Sequence, residues 1–131
     1  MILSEILTAI KPAVLGWITP INGTYTPTLT NVTNIDASTP LSCLYWRAGN
    51  TVHVSAAFNV DPTAAGTIVL GVSLPIASNI TDAADISGTA AGLAGYGVVI
   101  GNAASDRADI YITTSSTVNT GYHAEFTYQV K

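Results

Sequence analysis

The sequence predicts an all-β fold, a two-sheet β-sandwich or jelly roll of about eight strands, with a short N-terminal helix or extended arm. Three observations predict it. In Thr51–Val60, Val52, Val54, Ala56, Phe58 and Val60 alternate with Thr51, His53, Ser55, Ala57 and Asn59, which puts an apolar row on one face of a strand and a mostly polar row on the other. In Gly121–Val130, Tyr122, Ala124, Phe126, Tyr128 and Val130 alternate in the same way with His123, Glu125, Thr127 and Gln129. Between these stretches, turn residues recur at a spacing of roughly 8–14 residues, the rhythm of short strands.

Taken in order, the chain opens with Ile2, Leu3, Ile6, Leu7 and Ile10 at helical spacing, and Lys11-Pro12 should end that helix. Ala13–Ile21 then runs apolar, broken by Gly16 and Pro20. A helix this short is marginal alone in water, so its apolar face must dock on the chain's own domain or on a neighbouring subunit or larger assembly; the second is preferred here. Residues 1–22 therefore read as an apolar arm and 23–131 as the β domain.

Thr24–Thr33 reads as a Thr-rich strand whose Pro27, lacking an N–H, belongs at an edge or bulge, and Asn34–Pro40 as a loop. Leu41–Val60 is the clearest hairpin, reversing at Ala48-Gly49-Asn50 and closed by the turn Asp61-Pro62-Thr63. Thr67–Leu74 is an apolar strand in which Gly71 marks a bulge or a close approach. Pro75–Ala84 is a loop. Asp85–Leu93 and Gly95–Gly101 are short strands rich in Gly and Ala, whose registers the pattern does not fix. Asp109–Thr114 follows the turn at Asn102–Arg107, and the aromatic row of Gly121–Val130 places the final strand in mid-sheet.

The 131 residues suit one domain with no disulfide or metal needed to hold it. Only 9% are charged against 48% hydrophobic, where an ordinary soluble domain carries about 25% charged residues. Such a surface lacks the charges that keep sheet edges and monomers apart, which points to a homo-oligomer. The net charge of −4, with only Lys11, Arg47, Arg107 and Lys131 as cations, excludes a phosphate-binding patch and so nucleic acid. Glu5, Lys11, Pro12 and Pro20 interrupt Ile2–Ile21, so membrane insertion is not expected, nor does this stretch read as a signal peptide.

Candidate chemistry is sparse. Cys43 is the single cysteine and reads as a buried thiol. His53 and His123 sit on polar rows, and alternation does not bring Cys43 to His53 as a nucleophile–base pair. Asp82/Asp85 and Asp106/Asp109 offer too few oxygens for calcium, and an ion pair is the next plausible role for Asp106 and Arg107. No hydrolase elbow, phosphate loop, metal cluster or cofactor motif is present, so no catalytic residue, metal or cofactor is assigned. Asn22-Gly23-Thr24, Asn31-Val32-Thr33 and Asn79-Ile80-Thr81 match the glycosylation sequon but are discounted in so Thr-rich a chain. Tyr25, Tyr45, Trp46, Tyr96 and Tyr111 could each present a ring to a sugar. Tyr96 and Tyr111, in polar surroundings, are the candidate glycan contacts.

Several short motifs follow one another in order: Gly23-Thr24-Tyr25-Thr26-Pro27-Thr28-Leu29, Tyr45-x-Arg47-x-Gly49-Asn50-x-Val52-x-Val54, Asp61-Pro62-Thr63, Leu70-Gly71-x-Ser73-Leu74-Pro75-Ile76-Ala77-Ser78, Asp106-Arg107-Ala108 and Phe126-Thr127-Tyr128-Gln129-Val130. The series resembles a β-rich module of tailed-bacteriophage virion proteins, often placed at the C-terminal end of tail-fibre-like proteins, and covers nearly everything from Gly23 to Lys131. The resemblance implies a structural or receptor-facing phage protein, trimeric as other jelly-roll knobs are, and not an enzyme. The chain starts at Met1 with about twenty residues before the module, which leaves no room for a fibre shaft and favours a capsid decoration, or cement, protein. On that expectation the protein is a virion homotrimer whose arm residues Ile2, Leu3, Ile6, Leu7, Ile10, Leu15 and Trp17 anchor it on the major capsid protein. The alternative is a fibre or tailspike knob that binds a host surface glycan.

Overall fold

The computed structural model describes residues 21–131, and the arm residues Ile2, Leu3, Ile6, Leu7, Ile10, Leu15 and Trp17 lie outside the described residues. Among the described residues ten strands form: β1 Ile21–Tyr25, β2 Leu29–Thr33, β3 Ile35–Pro40, β4 Cys43–Ala48, β5 Thr51–Pro62, β6 Gly66–Ser73, β7 Ile86–Gly92, β8 Gly95–Asn102, β9 Arg107–Thr114 and β10 Thr120–Gln129. One short 3-10 turn, Ala83–Asp85, precedes β7. The all-β, antiparallel character follows the sequence. The strands do not separate into two hydrogen-bonded sheets, however: they join in one path, β1-β4-β5-β10-β7-β8-β9-β6-β2, with β3 also paired to β5.

Two sequence expectations are corrected near the start. Thr24–Thr33 is not one strand, because Thr26-Pro27-Thr28 separates β1 from β2; Pro27, with no N–H to give, sits buried in that break. The expected loop Asn34–Pro40 is mostly strand β3, which pairs with the C-terminal half of β5 from Ile35↔Pro62 to Pro40↔Phe58. Its polar composition, Asp36, Ser38 and Thr39, hid an edge position. Ile21 and Asn22, read as part of the arm, open β1 opposite Arg47 and Trp46.

The hairpin β4–β5 forms as expected, from Ala48↔Thr51 to Leu44↔Ser55. Gly49 takes φ +60° at the first position of its two-residue reversal, a conformation glycine adopts without a Cβ penalty. The final strand is indeed central: β10 pairs with β5 over its whole length and with β7 on its other edge. Val52, Val54, Phe58, Val60, Tyr122, Phe126 and Tyr128 are all buried on the inner face, joined by Ile68, Leu70 and Val72 of β6, Ile86 of β7, and Ile110 and Ile112 of β9.

The sheet must curl, because β5 and β6 are consecutive in the chain yet lie at opposite ends of a six-strand run. The segment Leu29–Pro40 bridges that run, with β2 on β6 and β3 on β5. Its corner is Asn34, at φ +58°. The Asn34 amide donates to the Ala64 carbonyl at 2.8 Å and its Oδ1 accepts from the Ala64 N–H at 3.0 Å, while its own carbonyl accepts from the Thr63 N–H at 3.2 Å. Asparagine tolerates the left-handed region better than most residues. Replacing Asn34 by alanine should cost about 1–2 kcal/mol. Asn34→Gly should recover only the backbone part, a split that urea denaturation of the two variants would measure.

Candidate functional site

The registers place the outer-face residues in rows. Across β8 and β9, Tyr96 lies opposite Thr113 and Val98 opposite Tyr111, so Tyr96, Val98, Tyr111 and Thr113 share the outer face. Thr89 and Ala91 of β7 continue the row, followed by Glu125 and His123 of β10. Both predicted glycan contacts are thus brought to one surface. Tyr96 is 77% exposed and Tyr111 37%, and they are diagonal neighbours across two strands, their Cβ atoms roughly 7 Å apart or less by ordinary sheet geometry.

Farther along the same face, β1, β4 and β5 line a groove of about 300 Å³ with Asn22, Gly23, Leu44, Tyr45, Trp46, His53 and Ser55. Trp46 is 41% exposed although tryptophan is among the largest apolar side chains, and Leu44 is more exposed still. The Trp46 and His53 rings stack, centroids 5.8 Å apart and planes 29° off parallel, and His53 Nδ1 meets Thr127 Oγ1 at 3.0 Å. The strand pattern contained this site: Leu44 and Trp46 fall on the same face as His53 and Ser55 once β4 and β5 are paired. What hid it was the apolar run Cys43–Trp46, which reads as a strand covered on both faces.

The other tyrosines are structural. Tyr25 and Tyr45 pack edge to face at 5.9 Å, and the Tyr25 hydroxyl donates to the Ser73 carbonyl at 3.2 Å. Tyr128 donates to the Ile76 carbonyl at 2.7 Å and accepts from the Ile76 N–H at 3.2 Å. Burial pushes both phenols, Tyr25 and Tyr128, well above the ordinary tyrosine range. Burial likewise raises the Cys43 thiol, against the Ala57 N–H that partly offsets it, so this sulfur is a poor nucleophile. Cys43 stands beside Ala57 while His53 pairs with Trp46, and the two residues do not form a dyad.

The acidic residues hold loops. Asp106 does not pair with Arg107; its carboxylate accepts from the Ser78 N–H at 3.1 Å and the Ile80 N–H at 3.0 Å. Burial acts to raise this carboxyl, yet the N–H groups of Ile80, Asn79 and Ser78 together hold it below the usual carboxylate range. Arg107 instead binds Asp109, Nε to Oδ1 at 2.8 Å, and lies across Gly71, where an added Cβ would sit 2.6 Å from Nε. The expected close approach at Gly71 is therefore that of an arginine side chain. Asn102 completes the trio, donating to Asp109 Oδ2 at 2.8 Å. Asp82 and Asp85 cap the 3-10 turn, and Lys131 binds Asp85 at 2.6 Å.

Among the described residues no three His, Cys, Asp or Glu side chains converge as metal ligands would, and no helix is long and apolar enough to cross a membrane. Comparison with protein families, with curated proteins and with solved structures yields no match.

Proposed function

We propose that this chain is a structural protein of a bacteriophage virion, a trimeric capsid decoration protein that docks on the shell through its N-terminal arm and stabilises it. In this reading the curled sheet is a jelly-roll-type β-sandwich whose two layers are the two limbs of the curl, and the protein has no enzymatic role. The observation that carries the reading is the outer face: Leu44, Trp46, Tyr96, Val98 and Tyr111 stand exposed on it, among Ser, Thr and Ala with few charges between them. Exposed apolar groups in such number on a charge-poor surface mark contact with other protein surfaces.

The test is co-sedimentation of the full-length protein with phage capsids lacking it. Decorated capsids should retain the protein, and the paired substitution Leu7→Glu with Trp17→Glu should release it while the β domain keeps its far-UV spectrum. Retention by that variant rules out anchoring by the arm, and sedimentation with tails instead of heads rules out decoration.

A second reading, a glycan-binding knob of a fibre or tailspike, is favoured by Tyr96, whose ring stands 77% exposed beside Tyr111 and the Thr89 and Thr113 rows. The C–H face of a sugar ring can rest on such an aromatic face while hydroxyls meet threonine. Binding on a glycan array that disappears in Tyr96→Ala would support it.

A further inference from the structure

We propose that copies of this chain associate head to tail, the β7–β8 hairpin tip of one copy filling the β1–β4–β5 groove of the next. The inference rests on the self-association in the reading above and names the surfaces that make it. The tip is the two-residue reversal Leu93-Ala94 between Gly92 and Gly95, which face each other across β7 and β8. Leu93 has no cover at all, at 107% exposure, and Tyr96 follows it on the outer face. An exposed leucine on a mobile loop would carry little meaning, but this one is held. The Ser115 N–H donates to the Ala94 carbonyl at 2.8 Å and the Ser115 hydroxyl reaches the same oxygen at 3.1 Å. A Cβ on Gly95 would fall 2.1 Å from the Thr113 carbonyl oxygen, and one on Gly92 would fall 2.7 Å from that of Gly121. A tip set so firmly against its neighbours loses little conformational freedom on docking.

The groove is the matching concavity. Its 300 Å³ equals the liquid volume of about ten waters, which an apolar tip would return to bulk. Leu44 and Trp46 give it an apolar floor, and its lining contains no carboxylate, lysine or arginine, so an uncharged Leu93–Tyr96 tip meets no stranded charge. The tip cannot serve its own groove. Strand β10 separates β7 from β5, the near wall of the groove, a span of roughly 10 Å at ordinary strand spacing, and a two-residue reversal held by Ser115 has no slack to cross it. A tip that fills this groove therefore comes from a second copy. Because knob and hole lie on different parts of one curled face, the contact is heterologous, the kind that closes into a ring when the rotation per copy allows. Three copies close it in the trimer proposed above.

The experiment uses full-length protein and two single variants, Leu93→Glu for the tip and Leu44→Glu for the groove, followed by sedimentation velocity and native mass measurement. Both residues are exposed, and far-UV spectra should confirm that both variants fold. The wild type should run as a trimer, and each variant alone should lose association by roughly 30-fold or more, the effect of removing a hot spot. Mixed one to one, they should form a dimer and stop, since the mixture retains one intact tip facing one intact groove. A wild-type trimer that persists in Leu93→Glu overturns the proposal and leaves self-association standing. That is also the result if the chain's own residues 1–20 or a small ligand fill the groove. A mixture that stays monomeric overturns it too, and a monomeric wild type overturns both the proposal and the reading beneath it.

Discussion

Gly97→Ala should lower the stability of this protein by about 3 kcal/mol, with a fall in melting temperature of roughly 10 °C. Gly97 lies on the inner face between Ala90 of β7 and Ile112 of β9. A Cβ built there would come 1.7 Å from the Tyr111 carbonyl oxygen and 2.8 Å from the Ile112 Cα. These are backbone atoms of a paired strand, so the added methyl cannot be accommodated by a side-chain rotation; β8 and β9 would have to part. Gly88 sits in the same situation one pairing over, its virtual Cβ 2.0 Å from the Glu125 carbonyl oxygen. Thr89→Ala, on the exposed face of β7, is the control and should shift the melting temperature little. Differential scanning calorimetry of the two variants gives the answer, and an unchanged Gly97→Ala would mean that β8 and β9 do not approach as closely as described.

Asp106→Ala should cost a comparable amount, about 3 kcal/mol, because several backbone N–H groups lose their acceptor together. Ser78 and Ile80 are both buried, and the loop they belong to also seals the inner end of the sheet, with Tyr128 bound to Ile76 and the Ser78 hydroxyl bound to the Gln129 carbonyl. Losing the carboxylate therefore loosens the cover over Tyr128 as well as the loop. The same geometry fixes a pH dependence. A carboxyl whose pKa is lower in the folded state than in the unfolded chain, where it is about 3.9, stabilises the fold above that value. Its contribution is lost as pH falls through the folded value. Asp106 behaves so, and Asp85 adds to it: the Lys131 ammonium, with the Thr81 and Asp82 N–H groups, holds its carboxyl down at about 2. Melting temperature should be flat above about pH 5 and fall between about pH 4 and 2. Asp106→Asn should start lower and fall less steeply over that interval.

Much of this architecture could be read from side-chain alternation. Thr51–Val60 and Gly121–Val130 show their two faces directly, and the structure pairs those two strands along their full length. The pattern failed where side chains give no contrast. Gly88, Gly97, Ala90 and Ala91 have too little bulk to mark an inner face, yet the tight backbone approaches at Gly88 and Gly97 are the reason for that composition. β3 failed for the opposite reason: Asp36, Ser38 and Thr39 are loop residues by propensity, and only pairing with the end of β5 makes them a strand. Among the candidate contacts, exposure of Tyr96 and Tyr111 was legible from their polar surroundings. The exposure of Trp46 was not, since a tryptophan between Tyr45 and Arg47 gives no sign of which face its strand buries until β1, β4 and β5 are assembled.

The position of β10 bears on how the molecule comes into being. The strand at the heart of the path, flanked by β5 and β7, is the last of the ten described strands in chain order and so is made after the other nine. Until it arrives, β5 and β7 have no common neighbour. β5 and β7 are therefore joined only once β10 has been made, and the sheet path closes through the latest-made of its described strands. A polypeptide cut short before Thr120 should therefore leave the path broken between β5 and β7 and fail to reach the folded state.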